Sequence, residues 1–582
     1  IICRLLFVRN TVIVLLLLLL LLHPVRFIRI SQRRRINLMN NANSHFSLTP
    51  TVSIGRTSTK CNPSHSTTFN AGELVPIFLQ PVLPGDTWSV DTSLLCRMST
   101  MIHPVMGNAF IDVFWFYVPE RLVWDHFKDF MGESPSDPFR NPIEYLKPKL
   151  RIPSTGFSKG SIGDHFGLPT FPLSRTTEVD ATPFRAFALI WQEWFRDQNV
   201  DYGLLIQKGE STIDGVNDAS DIPSDYEETP YIYTTERGGA CPPVNKFHDY
   251  FTSCLPEPLR GEDVLIPFDN LPIVSNQNYV KLTSYDSEGF PEDVILGVDD
   301  SGNVVTSPNL GASSSLYYPS NLNGLFANGS IGAPSINELR LAVATQQFLE
   351  ASALYGSRYT ELLRGMFGVV APDASLQRPE YLGGKRLRVN VSQVVQTSST
   401  DSTSPQGNVA GLSVTGDKSS SFTKSFTEHG WLIGCCCVRN ENVYQQGINR
   451  LWRRFDRLDY YWPKFAHVGN EPVFTTEIYA DAPADEVFGY QEYAAAYRYI
   501  PSVVTGAFRS DYQTTLDSWH YADYYESKPF LSSEWMKSDP ANIDRTLAVQ
   551  STVEDQFIAD FFFDINMVRP MPAYSTPGLT RF

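Results

Sequence analysis

Asn108 to Val118 reads NAFIDVFWFYV, almost wholly apolar or aromatic, and predicts a strand covered on both faces. Glu73 to Gln80 and Thr87 to Met98 are strand candidates joined by a Pro84-Gly85-Asp86 turn. Pro76 has no N–H to donate, so the first of these must lie at a sheet edge or carry a bulge. Arg386 to Gln396 alternates as one strand. Leu387, Val389 and Val391 share one face, and Arg386, Arg388 and Asn390 the other. Gly430 to Arg439, Val473 to Tyr479 and Gln556 to Asn566 extend the β pattern, while the Ser/Thr/Gly-rich residues 397–420 read as a loop. Helical spacing appears in two places. Thr182, as N-cap before Pro183, opens a run with Phe187, Ile190, Trp191 and Trp194 on one side. Ser335 and Glu338 form a capping box ahead of Ile336, Leu339, Val343, Phe348 and Leu349, with Gly356 as the stop.

The β segments are scattered from residue 72 to residue 566, with long irregular or helical excursions between them. A mainly β fold, one sandwich with greatly extended connections over residues 71–582, accounts for this better than several independent domains. Residues 39–70 are polar and read as a flexible arm with little structure of its own. Residues 269–332 shift in composition toward Asn, Ser, Gly and Pro and carry seven acids against one base, Lys281. They are expected to form an inserted surface projection, and Asp286, Glu288, Asp299 and Asp300 are its candidate contact residues.

Composition narrows the class. The 582 residues are 42% hydrophobic and only 19% charged, which excludes a disordered chain and a coiled coil. A net charge of −16 argues against holding nucleic acid by bulk charge. Val12 to Leu22 is an apolar run of eleven residues, too short to span a bilayer, which needs about twenty. The first Met is Met39. Translation is expected to start there, which makes residues 1–38 an upstream extension. Without its seven arginines the chain has 40 bases against 63 acids, a net −23.

Candidate chemistry is sparse. Cys61, Cys96, Cys241, Cys254 and the run Cys435-Cys436-Cys437 show no zinc spacing, and neighbours in a strand point to opposite faces. They are expected to be reduced thiols filling apolar space. Gly156-Phe-Ser158-Lys-Gly160 matches a nucleophile pattern, but Pro153 precedes it and a second Ser-Ile-Gly follows, so it reads as a loop. No catalytic residue, metal ligand or cofactor site is expected, and the chain does not read as an enzyme. The stretch Asn449 to Tyr461 differs. Arg450, Arg453, Arg454 and Arg457 fall at i, i+3, i+4 and i+7, one helical face, with Trp452, Phe455, Tyr460, Tyr461 and Trp462 between them. Guanidinium groups hold phosphates and aromatic faces stack on unpaired bases, so Arg450, Trp452, Arg453, Arg454 and Arg457 are candidate DNA-binding residues. The competing reading pairs these arginines with Asp456, Asp459 or the acids of a neighbouring subunit.

Longer blocks carry a resemblance. TFNAGELVPIFLQPVLPGDTW (68–88), LCRMSTMIHPVMGNAFIDVFWFYVPERLVWDHFKDFMGE (95–133), GSRYTELLRGMFGVVAPDASLQRPEYLGG (356–384) and FFFDINMVRPMPAYSTPGL (561–579) resemble major capsid proteins of the gokushoviruses. These are small Microviridae bacteriophages with circular single-stranded DNA. The resemblance runs from about Met39 to the C-terminus. It implies an eight-stranded antiparallel jelly roll with long insertions and a T=1 icosahedral shell of sixty copies. It also implies a three-fold surface projection, here residues 269–332, contacting a host surface receptor. The implied partners are an internal scaffolding protein, a small basic DNA-packaging protein, a minor spike or pilot protein and the single-stranded genome. The implied location is the virion, assembled in the bacterial cytoplasm. Trp115, Trp124 and Phe130 are candidate subunit-contact anchors, with core packing the stronger expectation for Trp115. The alternative from a different class is a β-sandwich carbohydrate-binding or glycoside-cleaving protein.

Overall fold

The computed structural model describes residues 54–574 except 134–144, 218–221, 227–228, 263, 265–272, 357, 398–399 and 401–405; between residues 273 and 335 it describes only the backbone of six short strands. Asp286, Glu288, Asp299 and Asp300 therefore lie outside the described residues. So does the apolar run 12–22, and no helix among the described residues is long and apolar enough to cross a membrane. The chain divides into two compact units. One joins the described residues up to Thr59 with those from Val568, and the other is Lys60–Met567. Within the first, the Thr57 hydroxyl donates to the Met571 carbonyl at 2.6 Å.

The larger unit is built on two antiparallel sheets. Their strands are β1 (Ser64–Phe69), β2 (Val75–Val82), β3 (Thr87–Met98), β4 (Ala109–Pro119), β5 (Glu380–Arg388), β6 (Val391–Val395), β7 (Val409–Ser425), β8 (Gly430–Asn440) and β9 (Phe557–Arg569). One sheet runs β1-β9-β3-β7-β6 and the other β5-β4-β8-β2. Alternation explains the interior. Along β3, Trp88, Val90, Thr92, Leu94, Cys96 and Met98 are buried and the residues between them are not. Phe78 and Trp115 from one sheet meet Phe563 from the other, with ring centroids 5.1 to 5.7 Å apart. Phe422 adds a fourth ring 5.4 Å from Trp115. Such tilted and edge-on pairs suit the aromatic quadrupole and contribute beyond area burial.

Strand β4 is covered on both faces, as its sequence predicts. Helix α1 (Thr182–Ile190) runs on into a π turn, Trp191–Phe195, which covers the far side. There Phe114 meets Phe195 at 5.3 Å and Phe116 meets Trp194 at 5.6 Å. The buried acid in this strand, Asp112, is held from both neighbouring strands. Arg386 Nε and Nη2 donate to its two oxygens at 2.7 and 3.0 Å, and Arg439 Nη2 donates at 2.5 Å. Both guanidinium groups lie over the Phe247 ring, at 4.2 and 4.3 Å. Strand β2 sits at its sheet's edge, and its register against β8 shifts between the Phe78 and Pro76 pairs. The missing proline donor thus explains both the edge position and the bulge. Cys435, Cys436 and Cys437 are fully buried free thiols, and burial pushes the Cys437 pKa up to about 12.

Several expectations give way. Residues 397–420 do not form one loop, because Val409–Ser425 is strand β7. Its hydroxyls find partners across the pair with β3. Thr87 meets Ser425 at 2.9 Å and Ser89 meets Thr423 at 3.0 Å, so a polar run is accommodated in a sheet. Arg386–Gln396 is two strands in opposite sheets. The chain crosses between them at Val389-Asn390, where Asn390 N–H donates to the Thr415 hydroxyl at 2.9 Å. Ser64–Phe69, inside the segment read as an arm, is strand β1 and pairs with β9. Thr182 is not the N-cap of α1. It occupies the first turn, and the Asp180 carboxylate accepts its N–H at 2.9 Å. Trp124 is fully buried against Phe127 and Phe130, so it is a core residue. Phe130 remains 46% exposed.

Candidate nucleic-acid interface

Beyond β8 the chain is pinned before it reaches the arginines. Tyr444 bridges to Asp523 and Gln446 to Tyr479. Gly447 lies so close to Glu477 that a Cβ would stand 1.8 Å from its carbonyl oxygen. A second hydrophobic cluster, including Tyr250, Phe251, Tyr444, Val473 and Trp535, forms the floor.

From here local polar bonds shape the chain. The Asn449 side chain accepts the Leu451 N–H at 2.9 Å and starts a 3-10 turn, Arg450–Arg453. Arg454 then leaves helical geometry at φ −90°, ψ 87°. The Asp456 carboxylate accepts the Arg457 N–H at 2.6 Å and starts a second turn, Arg457–Asp459, whose last carboxylate accepts the N–H groups of Phe455 and Asp456 at 2.9 and 2.8 Å. Those two bonds hold the Asp459 carboxyl below its usual pKa. Trp462 Nε1 donates to the Arg457 carbonyl at 2.8 Å, and Pro463 begins a third short turn, Pro463–Phe465.

The expected single helical face is therefore absent. An α-helix would need the Arg454 backbone, which turns out of register, so the arginines go to different partners. Arg450 lies 3.4 Å from both Glu471 and Glu477 and donates to the Pro472 carbonyl at 2.8 Å. Burial raises the pKa of both glutamates, and Arg450 opposes that shift. Arg453 bonds the Thr476 hydroxyl and the Ala484 carbonyl and covers the Phe474 ring at 4.7 Å. Arg454 stacks over Tyr497 at 3.9 Å. Arg457 is exposed, and Trp452 is 71% exposed. The acids that pair with Arg450 come from Asn470–Glu477, while Asp459 is only near enough to feel its charge.

Two hollows adjoin this segment. A notch of 270 Å³ is lined by Arg450, Arg453 and Arg454 among others. A cleft of 880 Å³ opens between helix α2 (Ile336–Tyr355) and residues 460–498. Tyr355, Tyr460, Tyr461, Tyr493 and Tyr497 line it. Tyr493 and Tyr497 stand four apart, a spacing legible in the sequence, but nothing there tied them to the arginines or to Tyr355. Elsewhere Ser158 lies in a loop whose backbone N–H is bonded by Asn217 at 3.0 Å. No group of three or more metal-ligating side chains gathers among the described residues.

The sequence pattern of the family described as capsid protein (F protein) matches residues 47–579. The chain is 37% identical over 608 residues to capsid protein VP1 of Chlamydia phage 1, covering 94% of this chain and 99% of that one. It is 37% identical over 547 residues to capsid protein VP1 of Bdellovibrio phage phiMH2K, covering 90% and 96%. Capsid protein VP1 of Spiroplasma virus 4 is also 37% identical, over 531 residues, covering 88% and 93%.

Proposed function

The chain belongs to the capsid protein (F protein) family, and from that premise we propose that it is the repeating unit of a sixty-copy T=1 icosahedral shell around circular single-stranded DNA. Its role is structural, in a multi-copy phage capsid, and its place is the virion. The resemblance to gokushovirus major capsid proteins holds over nearly the whole chain.

The observation that supports shell formation is a contrast within the molecule. The sandwich core is closed, yet Val503, Val370, Phe455 and Ile500 are 71 to 92% exposed. Identical neighbours in a shell would cover such side chains. The strand orders β1-β9-β3-β7 and β5-β4-β8-β2 support an eight-stranded jelly roll, with β6 as an added edge. We read 71–582 as one capsid domain, with residues 269–332 as its projection and Asp286, Glu288, Asp299 and Asp300 among the host-contact residues. Trp452, Arg454 and Arg457 are the proposed DNA contacts. Arg450 and Arg453 act mainly by holding the segment in place. A scaffolding protein, a basic packaging protein and a spike or pilot protein complete the assembly. The basic partner supplies the charge that an acidic subunit lacks.

Co-expression of the chain with its phage-encoded helpers, followed by sedimentation and electron microscopy, is the test. Megadalton closed particles with nuclease-protected DNA are expected, and a chain that stays monomeric overturns the reading. Removing residues 272–328 should leave particles intact and abolish adsorption to the host.

A further inference from the structure

This inference rests on the nucleic-acid reading of residues 449–468 and adds a ligand chemistry to it. We propose that the tyrosine-lined cleft is a base-stacking site for single-stranded polynucleotide, in which unpaired bases lie against Tyr461 and Tyr497 while a backbone phosphate meets Arg454.

The juxtaposition of two hollows carries the argument. The arginine notch and the tyrosine cleft share Tyr461, Tyr493 and Tyr497 as a common wall. The Tyr461 ring lies 5.9 Å from Tyr493 and 6.3 Å from Tyr497. A ligand reaching across that wall has a flat, apolar part on one side and a group facing guanidinium N–H donors on the other. A nucleotide has that division: the base is flat, the phosphate is anionic, and a sugar separates them. Base stacking on aromatic rings together with cationic contact to phosphate is how single strands are held without sequence preference.

Charge selects among flat ligands. Residues 449–468 hold five bases and two acids, a local excess of three in an acidic chain. Arg450 and Arg453 are committed to partners within the subunit. Arg454 differs, because its guanidinium rests on the Tyr497 ring and makes no ion pair among the described residues, although Glu471 is close enough to feel its charge. Its N–H fork is left for an anion at the edge of the cleft. The notch also carries two acids, Asp459, which accepts two backbone N–H groups, and Glu471, which lies 3.4 Å from Arg450, and those of the cleft have partners too. Glu492 pairs with Arg498 at 2.7 Å, and Glu350 accepts from Gln346 at 3.0 Å. A saccharide would stack on tyrosines as well, but it has no use for the arginine notch. The 880 Å³ cleft is within the size range of small-molecule sites and holds more than one unpaired base. A duplex buries its base faces in its own stack and cannot offer them.

The test uses the full-length unassembled chain and a fluorescein-labelled twelve-nucleotide oligothymidylate, with affinity measured across a salt series. The pair Tyr461→Ala with Tyr497→Ala should weaken binding tenfold or more and leave the salt slope unchanged. The pair Tyr461→Phe with Tyr497→Phe should bind like the parent, since the ring face is kept. Arg454→Ala should weaken binding and lower the salt slope by about one. Against the parent chain, an abasic strand of equal length should bind at least tenfold more weakly, and this arm needs no variant to fold. Equal binding of abasic and thymidylate strands overturns the stacking site. If Arg454→Ala is then still weakened, the nucleic-acid reading survives it. If no variant and no strand makes a difference, both fall.

Discussion

Residues 108–119 and 449–468 are both crowded with aromatic rings, and the fold treats them oppositely. In the first, Phe114, Trp115, Phe116 and Tyr117 lie in a strand with a sheet on one side and the π turn of α1 on the other. In the second, nine large apolar side chains from Leu451 to Val468 are at least 40% exposed. The lone charge of the first, Asp112, is buried and neutralised by two arginines from flanking strands. The charges of the second shape the backbone instead, through turns closed on Asn449, Asp456 and Asp459. Aromatic content alone therefore does not specify an interior. Long-range strand pairing buries the first segment. Short-range polar bonds fix the second on the outside.

Trp115→Ala should break the comparison most strongly. It empties the ring cluster shared by the two sheets and is expected to cost about 3–5 kcal/mol in denaturant unfolding. Asp112→Ala comes next. It leaves Arg386 and Arg439 facing each other over Phe247 without a carboxylate, at a cost of about 3 kcal/mol, measured in the same way. A variant series showing no loss at Asp112 would mean that the strand tolerates its charge without the clamp.

Glu73 sharpens the interior side through pH. Burial, reinforced by the nearby Asp555 charge, pushes its pKa from 4.5 up to about 7. The folded chain keeps this proton where the unfolded chain has lost it. The Glu73 contribution to stability therefore falls as pH rises from about 4.5 to about 7 and is level above that. Glu73→Gln should be stabilised relative to the parent at pH 8 by roughly 2 kcal/mol and match it near pH 4. His165 is held neutral by burial, with its pKa lowered to about 4, and works in the opposite direction as pH falls below 6.5. The difference between variant and parent cancels that term. The smallest effect belongs to the exposed region. Phe455→Ser, at 87% exposure, should change unfolding free energy by no more than about 0.5 kcal/mol. A larger loss would show that Phe455 packs within the subunit after all.

Much of the sandwich was legible from residue order. The Pro84-Gly85-Asp86 turn set off β2 and β3, an uninterrupted apolar run marked β4 as covered on both sides, and Pro76 called for an edge or a bulge. The polar strand β7 was not legible, because its hydroxyls are paid in cross-strand bonds to β3, more than 300 residues away. The arginine segment was found, but not its shape. Helical spacing put four arginines on one face, whereas Glu471, Glu477 and the Tyr497 ring, all distant in sequence, drew them apart. The tyrosine cleft needed α2 and residues 460–498 brought together. Local pattern and steric limits thus determined which residues alternate, turn or break. Which sheet a strand joins, which charge meets which, and which rings remain in water depended on contacts between remote segments. Those contacts exist only once the chain has closed, because loop closure must precede the pairing that rewards it.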